Sequence, residues 1–242
     1  MQAWGVSDRG MVREENQDSF AMEKLSERSM LVTVCDGMGG VRGGALASGL
    51  ALETFIKAVK NGWKDSLKAE KTAALLIKAA EKANDAVFQR AAESAEFDGM
   101  GTTLVAATVR ADSAVIVNVG DSRAYLISDG IRCVTVDHSL VQLMVERGEL
   151  TKEEAKNHPR KNIITRAIGT EPTVEADTYP VPLKPGDCLL LCSDGLSNVM
   201  ADQEILFEVL HGGSRESCCE RLLELAKKRG APDNVTAVLA YI

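Results

Sequence analysis

The sequence predicts an α+β fold in which helices pack outside antiparallel sheets. Three observations point there. Short β-branched runs bounded by Gly, Asp, Asn and Ser read as strands, as in Leu31-Val-Thr-Val-Cys35 and Ala114-Val-Ile-Val-Asn-Val119. Two long stretches between them carry apolar residues at helical spacing. The strand-like runs from Thr102 to Val136 follow one another through links too short for a parallel crossover, which makes them antiparallel.

Taken in order, residues 1–35 read as strand, loop, strand. Leu46, Leu50, Leu52, Phe55, Ile56 and Val59 then form one apolar stripe, predicting a helix from about Gly44 to Lys60. A second helix is expected from Lys71 to about Ser94, with Leu75, Leu76, Ala79, Ala83 and Val87 buried. Four consecutive strands follow: Thr102 to Val109, Ser113 to Val119, Ser122 to Ile127 and Ile131 to Val136. Residues 139–168 are polar and mixed in charge, with a short helical pattern at Leu140, Leu143, Met144 and Val145 and a capped helix start at Thr151-Lys-Glu-Glu154. This segment reads as an insertion beside the core. After the strand Cys188 to Cys192 come helices near Asp202 to Leu210 and Ser214 to Lys228, the latter stopped by Gly230, and a last strand closes the chain.

At 242 residues the chain suits one sizeable core, and no Pro/Gly/Ser-rich spacer, repeat or low-complexity tract divides it, so 1–242 is expected to be a single domain. A net charge of −7 disfavours nucleic acid and anionic membrane as partners. Neither a signal-peptide core nor a stretch of membrane-spanning length is seen, and the six cysteines lack zinc-knuckle spacing. Cys35, Cys133, Cys188 and Cys192 sit in apolar runs, as small buried hydrophobes of a reducing compartment do, which makes the cytoplasm the expected location.

The informative feature is a set of aspartates at strand ends. Apolar runs stop at Asp36-Gly37, at Gly120-Asp121 and at Ser193-Asp194-Gly195, and a fourth starts just after Asp233. Any one Asp-Gly pair is ordinary turn chemistry, and Ser128-Asp129-Gly130 and Asp98-Gly99 read as no more than that. Four that each close or open a strand are less readily a coincidence. In antiparallel strands a C-terminal end and an N-terminal start share an edge, so Asp36, Asp121, Asp194 and Asp233 are expected to converge. Gathered carboxylates repel unless a cation lies among them, and hard divalent cations prefer oxygen.

Asp36-Gly-Met-Gly-Gly40 lacks the Gly-Lys-Ser/Thr ending of a nucleotide P-loop and the Gly-x-Gly-x-x-Gly of a dinucleotide site. Met38 stands where a haloacid-type phosphatase needs a second Asp, and three histidines are too few for a His-rich binuclear centre. A carboxylate-only Mg2+ or Mn2+ site remains, with glycines permitting close backbone approach. Arg13, near Asn16 and Asp18, offers a planar fork suited to phosphate; the plainer reading is a surface Arg in a solvated charged stretch.

The ordered strings Val12-Arg13 to Asn16-Gln17-Asp18-Ser19, Asp36-Gly37-Met-Gly39-Gly40, Gly99-Met-Gly101-Thr102-Thr103, Gly120-Asp121-Ser122-Arg123, Asp137-His138-Ser139, Ser193-Asp194-Gly195 and Asp233-Asn234 resemble the metal-dependent protein serine/threonine phosphatases of type 2C, in their compact bacterial form. The resemblance spans essentially the whole chain. It implies a sandwich of two antiparallel β-sheets flanked by α-helices on both outer faces, with two Mn2+ or Mg2+ ions at one end. On it, Asp36 bridges the ions, Asp194 and Asp233 ligate one, and the Gly37 carbonyl serves the other. Arg13 holds the substrate phosphate, and Asp121 with Asp194 takes a weaker third ion. Asp18 and Gln17 are expected in the outer shell. Gly101-Thr102-Thr103 is expected to support strand geometry, Asp137 and His138 are read as structural with no further role assigned, and residues 139–168 correspond to a flap beside the site.

Two departures stand out. Gln17 replaces the Glu of eukaryotic relatives, so one carboxylate ligand becomes an amide or a water. Met38 replaces their His, which leaves water to protonate the leaving group. The implied activity is direct hydrolysis of phosphoserine and phosphothreonine in proteins, without a phosphoenzyme, by a monomer reversing the work of a cognate Ser/Thr kinase. Two competitors are a partner-switching regulator specific for one phosphoserine protein, disfavoured by the lack of a sensor domain, and an inactive metal-binding adaptor, disfavoured by retention of Arg13, Asp36, Asp194 and Asp233 together.

Overall fold

The computed structural model describes residues 1–242, apart from the side chains of residues 41 and 42. The elements are β1 (Gln2–Asp8), β2 (Asp18–Ser26), β3 (Ser29–Met38), α1 (Gly40–Gly62), α2 (Ala69–Ala92), β4 (Gly101–Thr102), β5 (Leu104–Arg110), β6 (Ser113–Val119), β7 (Arg123–Ile127), β8 (Ile131–Cys133), α3 (Leu140–Glu146), α4 (Lys152–Lys156), β9 (Asp177–Pro182), β10 (Cys188–Cys192), α5 (Asp194–Ser197), α6 (Asp202–His211), α7 (Cys218–Lys228) and β11 (Val235–Tyr241). One sheet runs β1-β11-β10-β7-β8, the other β2-β3-β5-β6-β9 with β4 on β3. Every pairing is antiparallel.

Strand alternation builds three layers of core from two sheets. In β3, Val32 and Val34 face the other sheet and meet Leu189, Leu191, Val238 and Ala240. Their neighbours Leu31 and Cys35 point outward under Phe55, Val59, Leu76 and Ala83 of α1 and α2. On the opposite face Leu190, Cys192, Ala237 and Leu239 pack under Leu222, Leu223 and Ala226 of α7. Phe55 is wholly buried, so truncating it to Ala would cost about 3–5 kcal/mol. This is the α+β sandwich the sequence predicted.

Several boundaries differ. The N-terminal region holds three strands rather than two, because β2 and β3 form a hairpin through Glu27 and Arg28. Helix α1 starts four residues early, at Gly40, since glycines obscure helical periodicity there. Ser113–Val119 and the next strand do not pair. β6 already has partners on both edges, β5 and β9, so the chain turns at Gly120 (φ 106) and crosses to the other sheet, where β7 pairs β10 and β8. The hairpin through Asp129 closes as expected, with Ile127 opposite Ile131. Helix α7 ends in a Schellman motif, in which Gly230 N–H donates to the Lys227 carbonyl and Ala231 N–H to that of Ala226. Thr151 and Glu154 form the capping box read from their spacing.

Between β8 and β9 the 139–168 segment leaves the sandwich and returns through two isolated bridges, Ser139 to Ile164 and Thr102 to Ile168. All six cysteines are free, and five are buried, Cys218 and Cys219 among them; Cys133 is half-buried. Among the described residues no helix is long and apolar enough to cross a membrane.

Candidate metal centre and active site

Two strands end, one begins and one crossover turns at the same end of the sandwich. Asp36 near the end of β3, Asp121 in the β6–β7 crossover, Asp194 just after β10 and Asp233 just before β11 line one cleft of about 570 Å3, with Arg13, Gln17, Gly37, Met38 and Thr103. The aspartates meet across both sheets rather than along one sheet edge, because the crossover at Gly120 carries the chain between them.

Asp36 is held through its backbone. Its N–H donates to Thr103 Oγ1 at 2.9 Å, while its carbonyl accepts from Thr103 N–H at 2.9 Å and from Thr102 Oγ1 at 2.8 Å. Thr103 Oγ1 also pairs with Ser122 Oγ at 2.7 Å, tying the Asp36 strand to the Asp121 turn. Gly37 is required by packing, since a Cβ there would lie 2.1 Å from the Gly44 carbonyl oxygen and 2.6 Å from that of Gln17.

Asp233 accepts from Asn234 N–H on Oδ1 at 2.9 Å and from Arg13 on Oδ2 at 2.8 Å. Arg13 is exposed and reaches the cleft because Asn234 anchors its loop. The Asn234 amide donates to the carbonyls of Arg9 (3.0 Å) and Glu15 (2.9 Å) and accepts from Gln17 N–H (2.9 Å). Behind the cleft wall lies Asp18, paired with Asp36 across β2 and β3. Its Oδ2 accepts from Ser193 Oγ at 2.8 Å and Thr236 Oγ1 at 2.6 Å, whereas its Oδ1 is buried without a protein partner. The Gln17 side-chain amide donates to the Gly40 carbonyl at 2.7 Å.

The carboxylates oppose one another's ionisation. Burial pushes the Asp36 carboxyl well above the usual range, and the charges of Asp18, Asp194, Asp121 and Asp233 push it further. Asp121 is pushed up to about 8 by burial and by Asp194 and Asp137. Asp194 is pushed up to about 6 by burial and by Asp233. Asp18 also reaches about 6, where burial outweighs its two hydroxyl donors. Asp36, Asp121 and Asp194 are walled in by protein except toward the cleft, to which part of their surface stays open. Alongside, Arg123 forks onto Asp137 (2.7–3.2 Å); burial works against the guanidinium charge, but this pairing outweighs it and holds its pKa up.

Such a site fits hard cations. Its donors are carboxylate and carbonyl oxygens, its net charge is strongly negative, and Asp18 keeps an unpartnered buried oxygen. Among the described residues no three His, Cys, Asp or Glu side chains close on one point as a ready-made cage. Mg2+-like ions need none, because they keep several waters and take one or two carboxylates each. The structure therefore gathers Asp36, Gly37, Asp121, Asp194, Asp233 and Arg13 in one cleft, with Gln17 at its wall and Asp18 behind it. From the 139–168 segment, Asn162 and Ile164 complete the lining. Sequence reasoning gave no role to Asn234 or Ser193, and the grip of Thr103 on Asp36 went beyond the general support expected of it. Their polar side chains stand beside the motif aspartates, but which backbone they bind depends on partners far away in the chain.

The profile of the protein phosphatase 2C family matches residues 11–240. The serine/threonine phosphatase stp of Listeria monocytogenes is 40% identical over 240 residues, covering 96% of this chain and 92% of that one. The crystal structure of the serine/threonine phosphatase Stp1 from Staphylococcus aureus is 36% identical, with a TM-score of 0.92 over 100% of this chain and 94% of that one. The catalytic domain of the serine threonine protein phosphatase PstP, solved in complex with two manganese ions, is 33% identical with a TM-score of 0.84, covering 99% of this chain and 97% of that one. The chain belongs to the protein phosphatase 2C family. It is a hydrolase, a protein serine/threonine phosphatase.

Proposed function

We propose that this phosphatase cleaves phosphoserine and phosphothreonine side chains at a centre of two divalent cations, Mn2+ or Mg2+, held by Asp36 between them, by Asp194 and Asp233 on one side and by the Gly37 carbonyl on the other. The observation that carries this reading is the convergence of mutually repelling carboxylates in one cleft. When bound, such ions acidify a water nucleophile and offset the charge of phosphoryl oxygens. The chain's own residues supply position. Thr102 and Thr103 hold the Asp36 backbone, and Asn234 sets the loop that carries Arg13. Arg13, exposed beside Asp233, is placed to donate its guanidinium fork to phosphate oxygens in exchange for that carboxylate.

Asp18 and Gln17 act from the outer shell, Asp121 with Asp194 takes a weaker third ion, and the catalytic domain spans 1–242 with a flap at 139–168. Met38 lines the cleft without a transferable proton, so solvent protonates the leaving alkoxide. Substrates are phosphoproteins of a cognate Ser/Thr kinase, met by a cytoplasmic monomer. The test is hydrolysis of p-nitrophenyl phosphate with added Mn2+ and after exhaustive chelation. Activity that depends on the ion is expected, and full turnover in EDTA would overturn the carboxylate centre. Comparing the host phosphoproteome with and without the protein identifies its substrates.

A further inference from the structure

His138, left without a role by the reading above, is buried to 7% exposure and grips the residue before Asp121 on both sides. The Gly120 N–H donates to His138 Nδ1 at 3.1 Å, and the His138 N–H donates to the Gly120 carbonyl at 2.9 Å. A backbone N–H can only donate, so Nδ1 is the acceptor and the ring proton lies on Nε2. Nε2–H then donates to Asp177 Oδ2 at 3.1 Å. Asp177 Oδ1 accepts from Arg166 at 3.3 Å. The same stretch of backbone is the root of the 139–168 segment. His138 accepts from Thr165 N–H at 2.8 Å, Leu140 N–H donates to the Ile163 carbonyl at 2.8 Å, and Ser139 bridges to Ile164, which lines the cleft.

Gly120 itself has no freedom to spare. Its φ of 106 lies in the left-handed region, and a Cβ there would meet Thr103 Cγ2 at 2.6 Å. The His138 imidazole thus joins the turn carrying Asp121 to Asp177, and through it to Arg166, while the backbone at 138–140 pairs with the far end of the flap at 163–165. We propose that His138 is a positioning residue that sets Asp121 for the weaker cation and couples that position to the flap root through Asp177 and Arg166. The inference rests on the assignment of Asp121 to a third ion. Partners that orient a ligand from behind are worth roughly 10–100-fold in metal affinity.

The experiment is Mn2+ calorimetry on H138A, H138N, D177A and D121A beside the unaltered protein, with amide hydrogen exchange at Gly120 in chelator. Asn places an oxygen near the position of Nδ1 but cannot reach Asp177. In H138A the weak binding event should fall in affinity by roughly 10-fold or more, the two tight events should stay, and Gly120 exchange should speed up. H138N should restore slow Gly120 exchange and most of the weak event. D177A should shift the weak event by less than H138A does. A weak event unchanged in H138A, or in D177A if H138A does not fold, together with a mere drop in melting temperature, would overturn the coupling. D121A separates the two ideas. If D121A retains the weak event, or the unaltered protein has none, the Asp121 assignment fails and this inference with it. Should D121A abolish the event while H138A leaves it intact, only the role of His138 fails.

Discussion

Asp36 sits where burial and four neighbouring carboxylates all oppose its charge, yet its backbone is fastened by Thr102 and Thr103. Asp36→Asn keeps that shape and removes the charge that two cations would share. Both tight binding events should weaken, and kcat should fall by about 100-fold or more, the scale for loss of one preorganised electrostatic group. Metal calorimetry with steady-state kinetics checks it, and an Asn variant that binds two ions and turns over normally would sink the bridging role. Arg13→Ala is different. Its pairing with Asp233 is exposed, so stability should change by no more than about 1 kcal/mol. KM should rise and kcat fall while metal binding persists, because the lost contact strengthens as charge develops on the phosphoryl group. A variant with unaltered KM and kcat would leave Arg13 as a surface residue.

At the scale of elements, the 139–168 segment divides into a root and an outer part. The root is pinned by the Ser139–Ile164 and Thr102–Ile168 bridges and by Asn84, whose side chain accepts from Gly169 N–H at 2.7 Å and donates to the Glu171 carbonyl at 2.9 Å. The outer part, with α4, is largely exposed and contributes nothing to the cleft lining, which takes only Asn162 and Ile164 from this segment. Replacing Val145–Lys156 by a short linker should therefore spare hydrolysis of a small aryl phosphate. Rates on phosphoproteins should change by roughly 10-fold, equivalent to about 1.4 kcal/mol of contact. Paired kinetics on both substrate types decide it, and equal loss on the two would show that the segment shapes the chemistry itself.

For the molecule as a whole, the aspartate cluster links stability to pH and to cations. Without metal, burial and the neighbouring carboxylates push Asp18 and Asp194 up to about 6 and Asp121 up to about 8, and hold Asp36 well above the usual range. The unfolded chain releases these protons near 4, so between about pH 4 and 8 the folded state binds more protons than the unfolded one. Their contribution to stability is accordingly lost as pH rises through that window. Carboxylates with lowered values, Asp8 and Glu204, act only in more acidic solution. In EDTA the melting temperature should thus drift down from pH 5.5 to 8. Added Mn2+ should raise it more at pH 8 than at pH 6, because cations displace protons from the same oxygens. Thermal unfolding across that range with and without Mn2+ measures both, and a larger metal effect at pH 6 would contradict the linkage.

Much of this was legible in the order of residues. Strand period, helical stripes and turn residues act over a few neighbours, so the α+β class, the capping box at Thr151, the hairpin at Asp129 and the four strand-end aspartates could be read locally. The motif strings carried the family. Tertiary structure alone decided how the pieces meet. A strand's period of two says which face is apolar but not which strand is its neighbour, and so the crossing between sheets at Gly120 was read as a hairpin. Gly37 was expected to be small for a ligand's sake, whereas contacts with Gly44 and Gln17 show that packing already demands it. Asn234 reaches back to Arg9 and Glu15, Ser193 reaches Asp18, and His138 reaches Gly120 and Asp177. Hydrogen bonds of that kind depend on distance in space, which a linear pattern does not contain until the sandwich has closed.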